Sequence, residues 1–202
     1  MKTKTLVSKQ AQLASPYQWE DMAVENSLRF DSNTLPFPPP SINRFVSDMK
    51  SYCPINEYAD PTYKKLKGLL SAYEKVPAST ITITNSGDEA IDIVAKTLLN
   101  PGDYFVTTPP TYEMFSIQCQ INRGKNLEVP LQGISFEVNV KAIIQTAQRA
   151  RTKMVFLVNP NNPTGSTIPL GTIEKIAKQS DCVVVVDQAY GEFYGKTAIP
   201  LV

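Results

Sequence analysis

The sequence contains no histidine, which excludes Ser-His-Asp catalytic sites and most zinc sites. An excess of one charge is also missing, because 20 basic and 19 acidic residues leave a net charge of +1. The overall charge therefore gives no argument for nucleic acid or membrane binding. No run of about 18 apolar residues occurs, so no transmembrane helix is predicted. With 42% hydrophobic and 19% charged residues, the 202-residue chain has the balance of a globular core.

Cysteine is scarce and shows no pattern. The chain has three cysteines, Cys53, Cys119 and Cys182, an odd number without the spacing of a disulfide framework or a metal site. Reduced thiols of this kind are typical of cytoplasmic proteins. We therefore expect a cytoplasmic protein without a metal centre, in which Cys182 is a small buried hydrophobic residue.

Short apolar runs alternate with helical patterns along most of the chain. The runs at residues 104–108, 154–158 and 182–186 are typical of strands in a parallel sheet that is covered on both faces. Residues 80–84 alternate threonine and isoleucine, which predicts another strand. Further elements are predicted as helices at 42–51, 61–75, 111–120, 140–149 and 170–178, a helix that starts near Ser86, and a short strand at 126–129. The alternation predicts an α/β fold, a three-layer structure with a mostly parallel sheet.

Two polar strings directly follow two of the predicted strands. Asn-Pro-Asn-Asn-Pro-Thr-Gly occupies residues 159–165, and Asp-Gln-Ala-Tyr occupies residues 187–190. Ligands bind at the carboxyl ends of strands in open α/β sheets. We therefore expect an amide from Asn162, a carboxylate from Asp187 and a phenol from Tyr190 in one crevice. This set suits a flat heteroaromatic ring with a ring nitrogen and a phenolate oxygen.

A third candidate lies where the predicted strand at 80–84 leads into a helix. The first amides of a helix lack intrahelical partners and carry partial positive charge, so they bind phosphate readily. Gly87 would let the backbone approach such an anion closely. The alternative is an ordinary N-cap, in which Ser86 or Asp88 satisfies the first turn.

The other candidates also have purely structural interpretations. Asn, Pro and Gly at residues 162–165 are the usual occupants of a tight turn. Tyr112, just after the predicted strand at 104–108, could be a core residue at the end of the sheet. Asp187 could cap the following helix. All of these motifs occur in one chain at successive strand ends, and this favours a binding site.

Together these motifs resemble those of the fold-type-I, pyridoxal 5'-phosphate (PLP)-dependent aminotransferases of class I and II, the aspartate aminotransferase superfamily. Within it the chain is most similar to the histidinol-phosphate aminotransferases. The resemblance implies PLP as the cofactor, with Asp187, Tyr190 and Asn162 as catalytic residues. It assigns the cofactor phosphate to Ser86, Gly87, Asp88 and Glu89, ring stacking to Tyr112, the phenolic oxygen to Asn162 and Tyr190, and the pyridine nitrogen to Asp187. Gln188 stands where the family more often has glutamate.

The resemblance extends from about Asp31 to Val202. It implies a homodimer in which Tyr58 reaches the cofactor phosphate of the partner. It also implies an N-terminal arm with part of a small domain over residues 1–45, and the N-terminal portion of the large PLP-binding domain over residues 46–202. The lysine that binds the cofactor covalently in this family is expected beyond Val202, since Lys196 lies too close to Asp187. We therefore expect the chain to be the N-terminal part of a longer enzyme.

The implied function is transfer of an amino group between a histidinol-phosphate-like amino acid and a 2-oxo acid. A PLP-dependent decarboxylase similar to threonine-phosphate decarboxylase would share every motif described, so this activity stays open. A non-catalytic fragment is the third alternative.

Overall fold

The computed structural model describes residues 37–52 and 60–201, together with the single positions Gln12, Leu35 and Tyr58. Most of the predicted arm lies outside these residues. The chain divides into two compact units; of the described residues from Leu35 onward, those up to Ile83 belong to the first unit and those from Thr84 belong to the second. The predicted domain boundary after residue 45 stays a prediction. Among the described residues, no helix has both the length and the apolar character needed to cross a membrane.

The first unit contains two helices, α1 at Pro40–Tyr52 and α2 at Lys64–Glu74, close to their predicted positions. Leu66, Leu69 and Tyr73 have the spacing of one apolar face of α2, but they expose 43%, 63% and 66% of their surface. The helical spacing of apolar residues depends only on residues within the helix, whereas the burial of their side chains requires a second surface that packs against them.

The strand predicted at residues 80–84 is not observed, and this prediction was wrong. A 3-10 turn occupies Ala78–Thr80, and residues 81–84 belong to no strand in the described part of the chain. Ile81 has extended backbone angles, with φ −101° and ψ 127°. An extended segment becomes a strand only when a neighbouring strand pairs with its N–H and C=O groups. Alternation of side chains cannot supply that neighbour.

A four-stranded parallel sheet forms the centre of the second unit. Its strands are β1 at Tyr104–Thr107, β2 at Lys125–Glu128, β3 at Thr152–Val158 and β4 at Val183–Asp187. The spatial order is β2-β1-β3-β4, and every pairing is parallel. The predicted parallel sheet is therefore confirmed, with each strand close to its predicted position.

Helices cover both faces of this sheet. They are α3 at Ser86–Leu98, α4 at Met114–Ile121, α5 at Val140–Ala147 and α6 at Leu170–Gln179, with a short α7 at Gly191–Tyr194 after β4. Met154 and Phe156 of β3 pack against α3 and α4, while Val155 and Leu157 pack against α5 and α6. Because successive side chains of a strand point to opposite faces, β3 contributes to both cores. The predicted three-layer α/β architecture is confirmed.

Local signals start and stop these helices. Asn139 caps α5, because its side-chain oxygen accepts a hydrogen bond from the Ala142 N–H at 3.1 Å. After α3 the chain turns at Gly102, which has a φ of 83°. The carboxylate of Asp103 accepts a hydrogen bond from the Asn100 N–H at 2.9 Å. This bond is the main cause that holds the pKa of Asp103 below its ordinary value.

The chain reverses its direction across the sheet between β1 and β3. From β1 it runs through α4 to β2 at one edge, and from β2 it runs through α5 to β3 on the other side of β1. Right-handed crossovers in opposite directions place their helices on opposite faces, as observed for α4 and α5. The loops that follow β1 and β3 consequently diverge, and such a topological switch point opens a crevice at the carboxyl ends of the strands.

The buried thiol of Cys119 provides a test of the core beneath α4. Burial raises its pKa from 9.0 to about 12. The folded protein therefore keeps the thiol proton to higher pH than the unfolded chain does. This contribution to the free energy of unfolding is complete below about pH 9 and is lost as the pH rises toward about 12. Urea titrations between about pH 8 and pH 11 should show a steeper loss of stability for the wild type than for Cys119→Ala. Equal slopes would contradict this assignment.

Candidate functional site

A cavity of about 250 Å³ lies at the carboxyl end of the sheet, within the second unit. Ligand sites commonly measure about 300–1,000 Å³, so the cavity is close to the size of a small-molecule site. Seven of the residues predicted for the site line it: Ser86, Gly87, Asp88, Tyr112, Asn162, Asp187 and Tyr190. They come from one helix start and the ends of three strands, which the fold brings together at the switch point.

The helix start of α3 forms one wall of the cavity. Its first residue, Ser86, has a φ of 69°, in the left-handed region that residues other than glycine seldom adopt. Neither Ser86 nor Asp88 caps the first turn, so the predicted alternative of an ordinary N-cap is not observed. The carboxylate of Glu89 accepts a hydrogen bond from the Asn85 N–H. Among the described residues, the amides of Gly87 and Asp88 have no acceptor.

Gly87 lies on the surface of this wall. A Cβ atom added there would meet no protein atom within 4 Å, and the φ of Gly87 is not in the left-handed region. Neither packing nor backbone conformation therefore requires glycine at this position. The open backbone lets an anion approach the first-turn amides, where the helix dipole favours negative charge.

Tyr112 joins the helix start to the core. Its hydroxyl donates a hydrogen bond to Asp88 Oδ1 at 3.0 Å. Its ring packs edge-to-face on Phe115, with 5.9 Å between centroids and an interplanar angle of 87°. Tyr112 therefore packs on the core, as its structural interpretation predicts, and it also presents a half-buried aromatic ring to the cavity.

The segment at 159–165 is a tight turn and also a wall of the cavity. Asn159 is fully buried, and its side chain bonds both the N–H and the carbonyl of Ile168, at 2.8 and 3.0 Å. Gly165, with a φ of 68°, donates its N–H to the Asn161 carbonyl at 2.8 Å. These bonds hold the turn, while Asn162 is half-buried and lines the cavity.

Asp187 ends β4 and is half-buried. Its Oδ1 atom accepts a hydrogen bond from the Ala189 N–H at 2.8 Å. The residue at the N-cap of α7 is Tyr190, so Asp187 does not cap the next helix as its alternative interpretation predicted. The second carboxylate oxygen has no partner in the described part of the chain, which leaves it able to bind a cation.

The charges around the cavity are unevenly distributed. Two carboxylates, those of Asp88 and Asp187, line it, and no described lysine or arginine does. No group of three or more metal-binding side chains occurs among the described residues. The arrangement can therefore accept an anion at the start of α3 and a positively charged group at Asp187.

Two predicted site residues do not line this cavity. Glu89 lies in the first turn of α3 with its carboxylate on the Asn85 amide. Tyr58 belongs to the first unit and is fully exposed. Their predicted roles stay predictions. Gln188 lies beside the cavity, where its side-chain amide bonds the Lys196 carbonyl at 3.1 Å and the Ala198 N–H at 2.7 Å.

Sequence reasoning missed several residues of the site. Ile91, Val158 and Ala189 also line the cavity; ordinary apolar residues of this kind carry no signal of a ligand site in a sequence. Asn161 was also missed, although it lies in the string at 159–165, because its side chain forms hydrogen bonds with residues that are far away in the sequence.

The family model described as Aminotransferase class I and II matches residues 24–202 of the chain. The histidinol-phosphate aminotransferase of Caldanaerobacter subterraneus subsp. tengcongensis is 34% identical in an alignment of 188 positions that covers 91% of this chain and 53% of that relative. The chain spans about half the length of the curated relatives it matches.

Two solved structures show the same fold. Histidinol-phosphate aminotransferase from Sinorhizobium meliloti, in complex with pyridoxal-5'-phosphate, aligns with a TM-score of 0.69 and 24% identity, over 77% of this chain and 42% of that one. A tetra mutant of Thermus thermophilus aspartate aminotransferase aligns with a TM-score of 0.75 and 19% identity, over 89% of this chain and 50% of that one.

Proposed function

This chain belongs to the class I and II aminotransferase family, and we propose that it binds PLP in the cavity between α3 and the ends of β1, β3 and β4. We propose further that the protein transfers an amino group between an amino acid and a 2-oxo acid. The names of its relatives favour histidinol phosphate or a similar amino compound as the donor. The observation that carries the proposal is the cavity, because it is lined by residues that are predicted to bind the phosphate, the ring and the pyridine nitrogen of PLP.

The residues of the cavity fit this cofactor. The free amides of Gly87 and Asp88 at the start of α3 suit its phosphate. The ring of Tyr112 lines the cavity and suits stacking on one face of the pyridine, and the second carboxylate oxygen of Asp187 suits the protonated ring nitrogen. Asn162 and Tyr190 supply an amide and a phenol for the phenolic oxygen.

These side chains have separate tasks in the proposed reaction. Bound PLP supplies an electron sink for the negative charge that develops at the substrate α-carbon. Asp187 keeps a proton on the pyridine nitrogen, because its carboxylate stabilises the positive charge. Asn162 and Tyr190 orient the ring through its phenolic oxygen. Tyr112 would stack on the ring and keep water from its face.

We propose that the working protein is a homodimer with isologous contacts, in which Tyr58 serves the phosphate site of the partner subunit. The complete exposure of Tyr58 supports this proposal, since the side chain is available to another chain.

The direct test uses the protein as its gene encodes it in full. Titration with PLP should give saturable binding, followed by the absorbance of the cofactor. Incubation with histidinol phosphate and a 2-oxo acid should yield the corresponding amino acid. Release of CO₂ from an amino-acid phosphate without amino transfer would instead establish the decarboxylase, and absence of PLP binding would overturn the proposal.

Replacing Gly87 by alanine should weaken PLP binding without destabilising the fold. The added methyl group meets no protein atom, so the free energy of unfolding should stay the same or rise by up to about 1 kcal/mol. PLP affinity should fall by about ten- to a hundredfold, because the methyl group would occupy the space through which the phosphate approaches the first-turn amides and would weaken a hydrogen bond to a charged group. Urea denaturation and PLP titration measure the two effects.

Gly171→Ala is the matched control. Gly171 is likewise the second residue of its helix, α6, and a Cβ there also meets no atom within 4 Å, but it does not line the cavity. Its PLP affinity should equal that of the wild type. Equal affinities of the Gly87 and Gly171 variants would argue against a phosphate site at the start of α3.

A further inference from the structure

Asn161 joins two loops that are far apart in the sequence. We define the β1 loop as residues 108–113 and the β3 loop as residues 159–169. The Asn161 side chain accepts a hydrogen bond from Thr111 Oγ1 at 2.8 Å and donates one to the Pro110 carbonyl at 3.0 Å. It also donates to Thr164 Oγ1 at 2.7 Å, within its own loop. Asn161 is 6% exposed, so these bonds are shielded from water.

The bonds of Asn161 lie where the backbone pairing between β1 and β3 has ended. β1 and β3 are neighbours in the sheet, and their pairing ends at Val106 and Val155. Beyond this point no ladder of backbone hydrogen bonds connects the two segments, and the loops diverge at the switch point. The side chain of Asn161 therefore supplies a connection that the sheet no longer provides.

Each partner of the Asn161–Thr111 pair directly precedes a residue of the cavity. Thr111 precedes Tyr112, and Asn161 precedes Asn162; both of the following residues line the cavity. We propose that Asn161 and Thr111 are positioning residues that set the distance and orientation of Tyr112 relative to Asn162. The proposal rests on the proposed function, because the group held between these two side chains would be the ring of PLP.

The chemistry of the pair explains the residue types. The amide of Asn161 accepts from a hydroxyl and donates to a carbonyl of the β1 loop at the same time. Aspartate has no donor for the Pro110 carbonyl at neutral pH, and an aliphatic side chain makes neither bond. A buried group that loses its partner retains the cost of its desolvation, so each of the two bonds contributes to holding the loops together.

The test compares Thr111→Val with Thr111→Ser in the protein as its gene encodes it in full. Valine has nearly the shape of threonine but no hydroxyl, so the variant should fold and lose the bond to Asn161. Serine keeps the hydroxyl. Thr111→Val should weaken PLP binding on the order of tenfold, and Thr111→Ser should restore most of the affinity. Asn161→Ala should have the larger effect, since it removes both inter-loop bonds.

Hydrogen exchange of the ligand-free protein gives a readout that does not depend on the cofactor. Thr111→Val and Asn161→Ala should speed amide exchange in both loops. Asn159→Ala is the control, because Asn159 is also a buried asparagine and its side-chain bonds stay within the β3 loop. It should speed exchange in the β3 loop and leave the β1 loop unchanged.

The outcomes separate this inference from the function it rests on. If exchange in the β1 loop is unchanged in both Thr111→Val and Asn161→Ala, or if Thr111→Ser binds PLP as weakly as Thr111→Val, the positioning role is overturned. If the wild type binds PLP and Thr111→Val binds it equally well, the role is overturned while the proposed function stands. If exchange responds as expected but the wild type binds no PLP, the proposed function fails and the connection between the loops remains.

Discussion

In the protein as its gene encodes it in full, replacing Asp187 by alanine should reduce kcat for the proposed amino transfer by between about a hundredfold and a thousandfold, while PLP remains bound. In the proposed site its carboxylate stabilises the proton on the pyridine nitrogen, and the alanine variant leaves that charge without a partner. Breaking one side of a buried ion pair costs about 3–5 kcal/mol, and about 1.4 kcal/mol corresponds to a tenfold change in rate. Asp187 is half-buried, so we expect the lower half of that range.

Two further variants identify the charge as the cause. Asp187→Asn keeps an oxygen that can accept the Ala189 N–H, and therefore keeps the turn, but carries no negative charge. It should be almost as inactive as the alanine variant. Asp181→Asn removes an exposed carboxylate that precedes the opposite end of β4 and should leave kcat unchanged. Full turnover by Asp187→Asn would remove the charge of Asp187 from the mechanism.

Replacing Phe156 by alanine should lower the free energy of unfolding by about 3–5 kcal/mol, out of a total that is about 5–15 kcal/mol for most proteins. Phe156 lies in the central strand β3, is 1% exposed, and has its ring 4.6 Å from that of Phe115. Alanine would leave a cavity between the sheet and α4 that neighbouring side chains fill only in part. Urea denaturation followed by circular dichroism measures the change.

Phe193→Ala is the control for this prediction, because it deletes the same atoms from a side chain that is 80% exposed. Its effect on the free energy of unfolding should remain within about 0.5 kcal/mol. Similar losses in the two variants would show that Phe156 is not part of a tightly packed core.

The secondary structure of the second unit could be predicted almost entirely from the sequence. Residues 154–158 of β3 are apolar and pack alternately on two helix layers, and this double burial accounts for the unbroken apolar run. Residues 80–84 were predicted wrongly, because alternation describes the faces of a strand and says nothing about its neighbour. The exposed leucines of α2 have a similar explanation, because helical spacing describes a face of the helix and says nothing about the surface that would cover it.

The candidate site was predictable only as a set of residue types. The strings at 159–165 and 187–190 are enough to indicate the cavity-lining residues Asn162, Asp187 and Tyr190. The strings do not reveal that Asp187 bonds the Ala189 amide, nor that Tyr112 donates its hydroxyl to Asp88. These contacts depend on side-chain conformations that no spacing rule describes.

By itself, the sequence determined the helices and strands of the second unit, the parallel character of its sheet, and the motifs that place the chain in its family. All of these depend on residues close together along the chain. The tertiary structure alone decided the order β2-β1-β3-β4, the crevice between β1 and β3, and the bond from Thr111 to Asn161 across fifty positions. Local periodicity acts through neighbouring residues, whereas contacts over such separations form only when the packed helices and strands bring them together.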